Sequence, residues 1–136
     1  MLKSIKESPL FPIVNPQSIA FFGASNRFTS MGTNQLSSLK SLGFGGKIYP
    51  IHPKEEQVLG FKAYASVLDL PEIPDLAVMV LPTRIVPQVM AECGQRGIKH
   101  AIVVSGGFKE VGGEGPTLEK KLLAAAEKFG IRFLGP

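Results

Sequence analysis

The sequence is poor in the residues that reactive or cross-linked small proteins use. Among 136 residues it has one cysteine, Cys93, two histidines, His52 and His100, and no tryptophan. A lone cysteine excludes an internal disulfide, and one cysteine with two histidines does not make a zinc set. Long apolar stretches are missing as well. Runs such as Leu76 to Leu81 fall far short of the ~20 residues a membrane helix needs. Met1 to Ile13 carries Lys3, Lys6 and Glu7 and is broken by Pro9 and Pro12, so it lacks the apolar core of a secretory signal. A cytoplasmic protein is the expectation, with no membrane partner. There is no Walker-type phosphate loop and no strained serine elbow of the hydrolase kind. Lysine and arginine exceed aspartate and glutamate by 15 to 11, a formal charge of +4. The basic residues are scattered singly instead of forming a stripe interleaved with aromatics, which argues against nucleic acid and suits a polyanionic small ligand.

What is present is a regular alternation. After a leader over residues 1–15, irregular in pattern and marked by Pro9 and Pro12, the pattern predicts one domain over 16–136. Ser18 to Phe22 reads as a buried strand, Gly32 to Leu42 as a helix with Leu36, Leu39 and Leu42 on one side, and Lys47 to Ile51 as a second strand. Leu76 to Leu81 is apolar throughout, as expected of a strand covered on both faces. Val86 to Gln95 carries Val86, Val89, Met90 and Cys93 at helical spacing, with Gly97 as its stop. Ala101 to Val104, a helix over Thr117 to Phe129 ended by Gly130, and Ile131 to Leu134 complete the series. Strand and helix in alternation predict an α/β fold: a Rossmann-like, doubly wound parallel sheet. Ligands bind such sheets at the carboxyl ends of the strands, so function is sought in the loops that follow them.

Four loops qualify. In the first, Gly23-Ala24-Ser25 leaves a buried strand and leads to a helix opening near Gly32. A small-residue turn there lets backbone N–H groups and a helix N-terminus approach phosphate, with Ser25 and Asn26 as further donors. An ordinary tight turn is the alternative. In the second, His52-Pro53-Lys54 stands where an NAD-binding domain wants an acidic residue for the ribose hydroxyls. Lysine accepts no hydrogen bond but pairs with phosphate, so a phosphorylated ribose, as in CoA or NADP, fits better than NAD. The alternative is a solvated charge before Glu55 and Glu56. In the third, Leu81-Pro82-Thr83 can wall an adenine. In the fourth, Ser105-Gly106-Gly107-Phe108 can bring backbone to a ligand's chain with Phe108 as a cover. Cys93, on the apolar side of a helix, reads as core, and His100 as a strand-edge residue.

The loops together carry a resemblance. Ser18-Ile19-Ala20-Phe21-Phe22-Gly23-Ala24-Ser25, Gly46 through Lys54, Val58 through Tyr64, Asp75-Leu76-Ala77-Val78, Glu92-Cys93-Gly94, and Ser105 through Glu110 resemble, in this order, the CoA-binding domain of ADP-forming acetyl-CoA synthetases. These are acyl-CoA ligases related to the succinyl-CoA synthetase α subunit. Phe133-Leu134-Gly135-Pro136 is similar to the start of the family's next turn. The resemblance implies that Gly23, Ala24 and Ser25 hold CoA phosphates, that Lys54 sits at the ribose-phosphate end, that Leu81, Pro82 and Thr83 pack on the adenine, and that Ser105, Gly106, Gly107 and Phe108 line the pantetheine path. Ser30 stands where many relatives have lysine or arginine, with Arg27 as a possible substitute. His52 stands where relatives often have asparagine, and Gly106 where they often have alanine.

The same resemblance implies coenzyme A as the cofactor, no metal, and a parent enzyme that interconverts acyl-CoA, ADP and phosphate with acid, CoA and ATP. That reaction runs through a phosphohistidine beyond Pro136, so no catalytic residue is expected in this stretch. The implied partners are the remaining domains or an ATP-grasp β subunit. Two other readings stay open: a stand-alone CoA module or the ligase-like segment of a protein acetyltransferase, and an NAD(P)-binding domain of an oxidoreductase or redox regulator.

Overall fold

Ser18–Phe22 forms strand β1, and all five of its residues are buried, as a continuous apolar run between two helical layers must be. The computed structural model describes residues 7–105 and 115–135. β1 pairs in parallel with β2 (Lys47–Ile51) on one side and, on the other, with the strand Leu76–Met79, which is β5 after the short strands β3 (Gln57–Val58) and β4 (Phe61–Lys62). β6 (His100–Val103) and β7 (Arg132–Leu134) continue the sheet in the order β2-β1-β5-β6-β7, all parallel, while β3 and β4 form an antiparallel hairpin of their own. The expected doubly wound architecture is present. The chain passes from one edge of β1 to the other between β2 and β5, and the carboxyl ends of β1 and β5 flank that switch point.

The helices are α1 (Phe11–Val14), α2 (Met31–Ser41), α3 (Val86–Arg96) and α4 (Gly115–Phe129). Alternate residues of each strand enter two separate cores. Ala20, Phe22, Ala77 and Met79 pack with Val86, Met90, Cys93 and Leu122 from α3 and α4. Ile19, Phe21 and Leu76 pack with Leu36 of α2 and Ile13 of α1. Buried Ser18 keeps its hydroxyl satisfied by accepting from the Asp75 N–H at 3.0 Å, which aligns the starts of β1 and β5. Among the described residues no helix is long and apolar enough to cross a membrane.

Two sequence expectations change. Leu42 is 85% exposed, so it leaves the expected stripe; the inward face of α2 is Gly32, Thr33 and Leu36, with Leu39 partly buried against the same core. Leu42 lies just past the helix, where the chain turns away. Within the leader read as irregular, Phe11–Val14 make one helical turn with Pro in its first positions, and His100 Nε2 donates to the Pro9 carbonyl at 2.7 Å.

Gly94 and the Tyr49–Glu72 contact carry two tests. A Cβ at Gly94 would overlap the Phe129 ring, so α3 and α4 touch through a position that only hydrogen fits. Alanine normally favours an exposed helix over glycine by about 1 kcal/mol; Gly94→Ala is expected to destabilise regardless, by about 1–3 kcal/mol from overpacking, read as a lower urea midpoint. Tyr49 donates to the Glu72 carboxylate, which Lys47 also pairs at 3.3 Å. Burial, then the Glu72 contact, pushes the phenol from 10.0 to about 12, and the same hydrogen bond holds Glu72 below 4.5. The Tyr49 contribution to stability is complete below 10.0 and is lost as pH rises toward 12; that of Glu72 is present above 4.5 and fades as pH falls through the lower folded value. Tyr49→Phe should remove the alkaline slope of stability and flatten the acid one, as followed by unfolding midpoints across pH.

Candidate functional site

At the switch point two backbones meet without side chains between them. Gly23 ends β1 at φ +99°, and a Cβ there would overlap the Val80 carbonyl. A Cβ on Gly32 would overlap the Gly23 carbonyl, so the first turn of α2 rests on the end of β1. Ser30 is the N-cap of α2, its hydroxyl accepting from the Thr33 N–H at 3.2 Å.

Thr33 ties the intervening loop into a knot. Its side chain is fully buried; its hydroxyl oxygen accepts from the Ser25 N–H at 2.9 Å, donates toward the Ser25 carbonyl at 3.1 Å, and lies 2.7 Å from the Ser30 hydroxyl. The Ser25 hydroxyl in turn accepts from the Arg27 N–H at 3.1 Å. The Ser25 N–H is thus spent inside the loop. The Asn26 amide is spent outward: Nδ2 donates to the Gln57 carbonyl at 2.8 Å and Oδ1 accepts from the Leu59 N–H at 2.9 Å, fastening the β3–β4 hairpin to the loop.

The turn after β2 is held by a ring nitrogen. His52 Nδ1 accepts from the Lys54 and Glu55 N–H groups at 3.1 and 3.0 Å. An asparagine carboxamide oxygen makes the same two-and-three-residue reach in an Asx turn, which explains physically how histidine serves where relatives often have asparagine.

Three hollows join along the carboxyl edge of the sheet. One of about 370 Å³ lies between the start of α2 and Leu81, Pro82, Thr83 and Ser105. The second, of about 240 Å³, shares Gly23, Ser30 and Leu81 with it and adds Ala24 and Ser25. The third, of about 610 Å³, shares His52 and Pro53 with the second and reaches Lys54 and Lys62. The result is one cleft that is apolar-walled at one end, backbone-lined in the middle and ionic at the other. It brings together Gly23, Ala24, Ser25, Ser30, Pro53, Lys54, Leu81, Pro82, Thr83 and Ser105. The Thr83 and Ser105 hydroxyls lie 3.0 Å apart at its apolar end. Asn26 and Arg27 do not line these hollows. Gly106, Gly107 and Phe108 lie outside the described residues.

Sequence reasoning passed over Thr33 and Lys62. Thr33 had a usable signal, a hydroxyl on the inward face of a helix between Gly32 and Leu36, since buried polar groups need partners. Lys62 had none: its place in the cleft depends on the hairpin docking. Cys93 is fully buried and its thiol is pushed up strongly by burial, as a core residue's should be.

Comparison with known proteins supplies the rest. The family profile described as CoA binding domain matches residues 17–136. The chain is 47% identical over 121 residues to an ADP-forming acetate–CoA ligase II of Archaeoglobus fulgidus, covering 89% of this chain and 18% of that protein. It is 43% identical over 122 residues to the α subunit of an ADP-forming acetate–CoA ligase II of Pyrococcus furiosus, covering 90% and 26%. Acetyl-coenzyme A synthetase 1 of Ca. Korarchaeum cryptofilum, solved with phosphate and ADP, superposes with a TM-score of 0.89 at 42% identity, over 93% of this chain and 27% of that one. The chain therefore spans well under a third of the length of each of these relatives.

The hydroxyl knot yields a test of the loop itself. Thr33→Val keeps the shape but strands the Ser25 N–H, and should lower unfolding free energy by about 1–3 kcal/mol. Thr33→Ser retains the oxygen and should recover most of it. Equal losses in the two variants would mean that the methyl group, not the hydroxyl, holds the loop.

Proposed function

The chain belongs to the CoA binding domain family, and from that membership we propose that its cleft holds coenzyme A along the carboxyl edge of the sheet. The observation that carries the reading is the cleft's change of character along its length. CoA is an elongated ligand with an apolar-bodied arm, a pyrophosphate and a phosphorylated ribose, and the cleft offers apolar wall, bare backbone and lysine. Gly23 and Gly32 fit the group by what they lack: a Cβ at either would strike backbone, at the Val80 or the Gly23 carbonyl, and disturb the strand end and helix start that line the cleft. The Gly23–Ser25 segment with the N-terminal end of α2 faces the pyrophosphate. Lys54 serves the ribose phosphate. Leu81, Pro82 and Thr83, with Ser105 at the opposite end from Lys54, wall the pantetheine arm. The adenine shares its ribose with the phosphate that Lys54 serves and so lies at that end, not on Leu81, Pro82 and Thr83 as the resemblance implies. Lys54 also favours CoA over NAD, whose ribose wants an acceptor at the end of β2.

Bound CoA supplies the thiol that carries an acyl group. The chain's own part is to bind, orient and shield it. The parent protein is read as an ADP-forming acyl-CoA ligase of the cytoplasm, whose remaining domains or ATP-grasp β subunit bring the phosphohistidine and the nucleotide to this thiol.

Calorimetric titration with CoA, with NADH and NADPH in parallel, tests the reading. A saturable CoA signal in the micromolar range, about 8 kcal/mol, with none from the dinucleotides is expected. Dinucleotide binding without CoA binding overturns it.

A further inference from the structure

The β3–β4 hairpin is not needed to build the sheet, yet it is held at several points. Its central turn residues, Leu59 and Gly60, have φ of +50° and +86°. That sign pattern is the one two-residue hairpins of the I′ kind require, and a leucine adopts it only under strain. The strain is held from outside: Asn26 grips Gln57 and Leu59 from the first loop, and Lys40 of α2 donates to the Leu59 carbonyl at 2.8 Å. The Ala63 N–H closes onto the Glu56 carbonyl at 2.9 Å, and Tyr64 exchanges backbone bonds of 2.9 Å with Pro50 and His52. Strain kept in place by so many contacts marks a segment whose position matters.

What this fastening positions is Lys62. It lines the third hollow together with Lys54, which stands on the turn that His52 Nδ1 holds. The two lysines thus line one hollow from two supports, the His52 turn and the hairpin, that are also bonded to each other. Glu55 and Glu56 line it too, yet neither lysine is ion-paired among the described residues. Lys62 Nζ lies 5.3 Å from the centroid of the Tyr64 ring, while Lys40 Nζ lies 5.6 Å from that of Phe61. With two glutamates beside them, the lysines give little net attraction to a diffuse anion. A terminal phosphomonoester, with close to two charges and three acceptor oxygens, engages both ammonium groups at once.

We infer that Lys62 and Lys54 form a two-cation seat for a terminal phosphomonoester, and that Lys62 sets the selectivity of the cleft for a ligand bearing one. The inference rests on the CoA reading above and deepens it, since the 3′-phosphate of CoA is such a group. The test compares CoA with 3′-dephospho-CoA by calorimetry on the protein and on Lys62→Met and Lys62→Arg. The unaltered protein should prefer CoA. Lys62→Met should lose about tenfold in CoA affinity with dephospho-CoA unchanged, so that the preference collapses. Lys62→Arg should keep it. An equal loss for both ligands, or no loss for either, overturns the seat while leaving CoA binding standing. Failure of the unaltered protein to bind CoA removes the reading and the seat together.

Discussion

Two absent side chains fix the geometry on which the cleft depends. With hydrogen at Gly23, β1 can end against the Val80 carbonyl; with hydrogen at Gly32, α2 can start against the Gly23 carbonyl. Sheet, loop and helix therefore close to backbone contact at the one place where strand order reverses. Everything functional is referred to that point. The hollow toward Thr83 opens on one side of it, and the hollow toward His52 on the other. A methyl group at either glycine would do more than strain a turn. At Gly23 it would drive the end of β1 from the Val80 carbonyl, and at Gly32 it would push α2 off the strand end.

Once the backbones are this close, the loop between them has little room to satisfy its own polar groups, and it does so with short side chains. Thr33 serves Ser25 and Ser30, Ser25 serves Arg27, and Ser30 caps the helix. A long cation at Ser30 would reach into the cleft but leave the cap and part of this network unmade. The loop has a rigid backbone in place of a direct charge, and the lysines stand at the far end, where the His52 turn and the hairpin are tied to one another through Tyr64. Pre-ordered supports lose less conformational freedom when a ligand arrives than a mobile arginine or lysine on the loop would.

The fold was legible because its signals are periodic and local. Unbroken apolar runs gave the strands, and Gly97 at φ +98° and Gly130 at φ +66° stop α3 and α4 where a glycine stop was expected. Leu42 misled because helical spacing continues in sequence past the point where the helix ends, and spacing alone does not say where the chain leaves the sheet. The site was legible as a set of loops but less so as a set of roles. The Ser25 hydroxyl and the Asn26 amide were expected as donors to a ligand on the strength of their chemistry; in the structure the hydroxyl accepts from the Arg27 N–H and the amide bonds to Gln57 and Leu59. Sequence shows that a donor exists; only packing shows what it has already been given to. Lys62 was invisible for the converse reason. Lys54 lies only eight residues before it, but sequence does not show that the two share a hollow, which depends on the hairpin folding back along β2 through the Ile51–Tyr64 bridge.

Both histidines and the cysteine are engaged or sealed within the protein. With its Nδ1 lone pair accepting two backbone N–H groups, neutral His52 carries its proton on Nε2 and has no free lone pair for attack or proton abstraction. His100 gives its Nε2 proton to Pro9, at the opposite end of the sheet strands from the cleft. Cys93 is sealed between α3 and the sheet with its thiol kept protonated by burial. The hydroxyls nearest the cleft belong to the loop knot or to the Thr83–Ser105 contact. On the proposed reading, such an arrangement suits a domain that fixes a long, flexible cofactor in one pose.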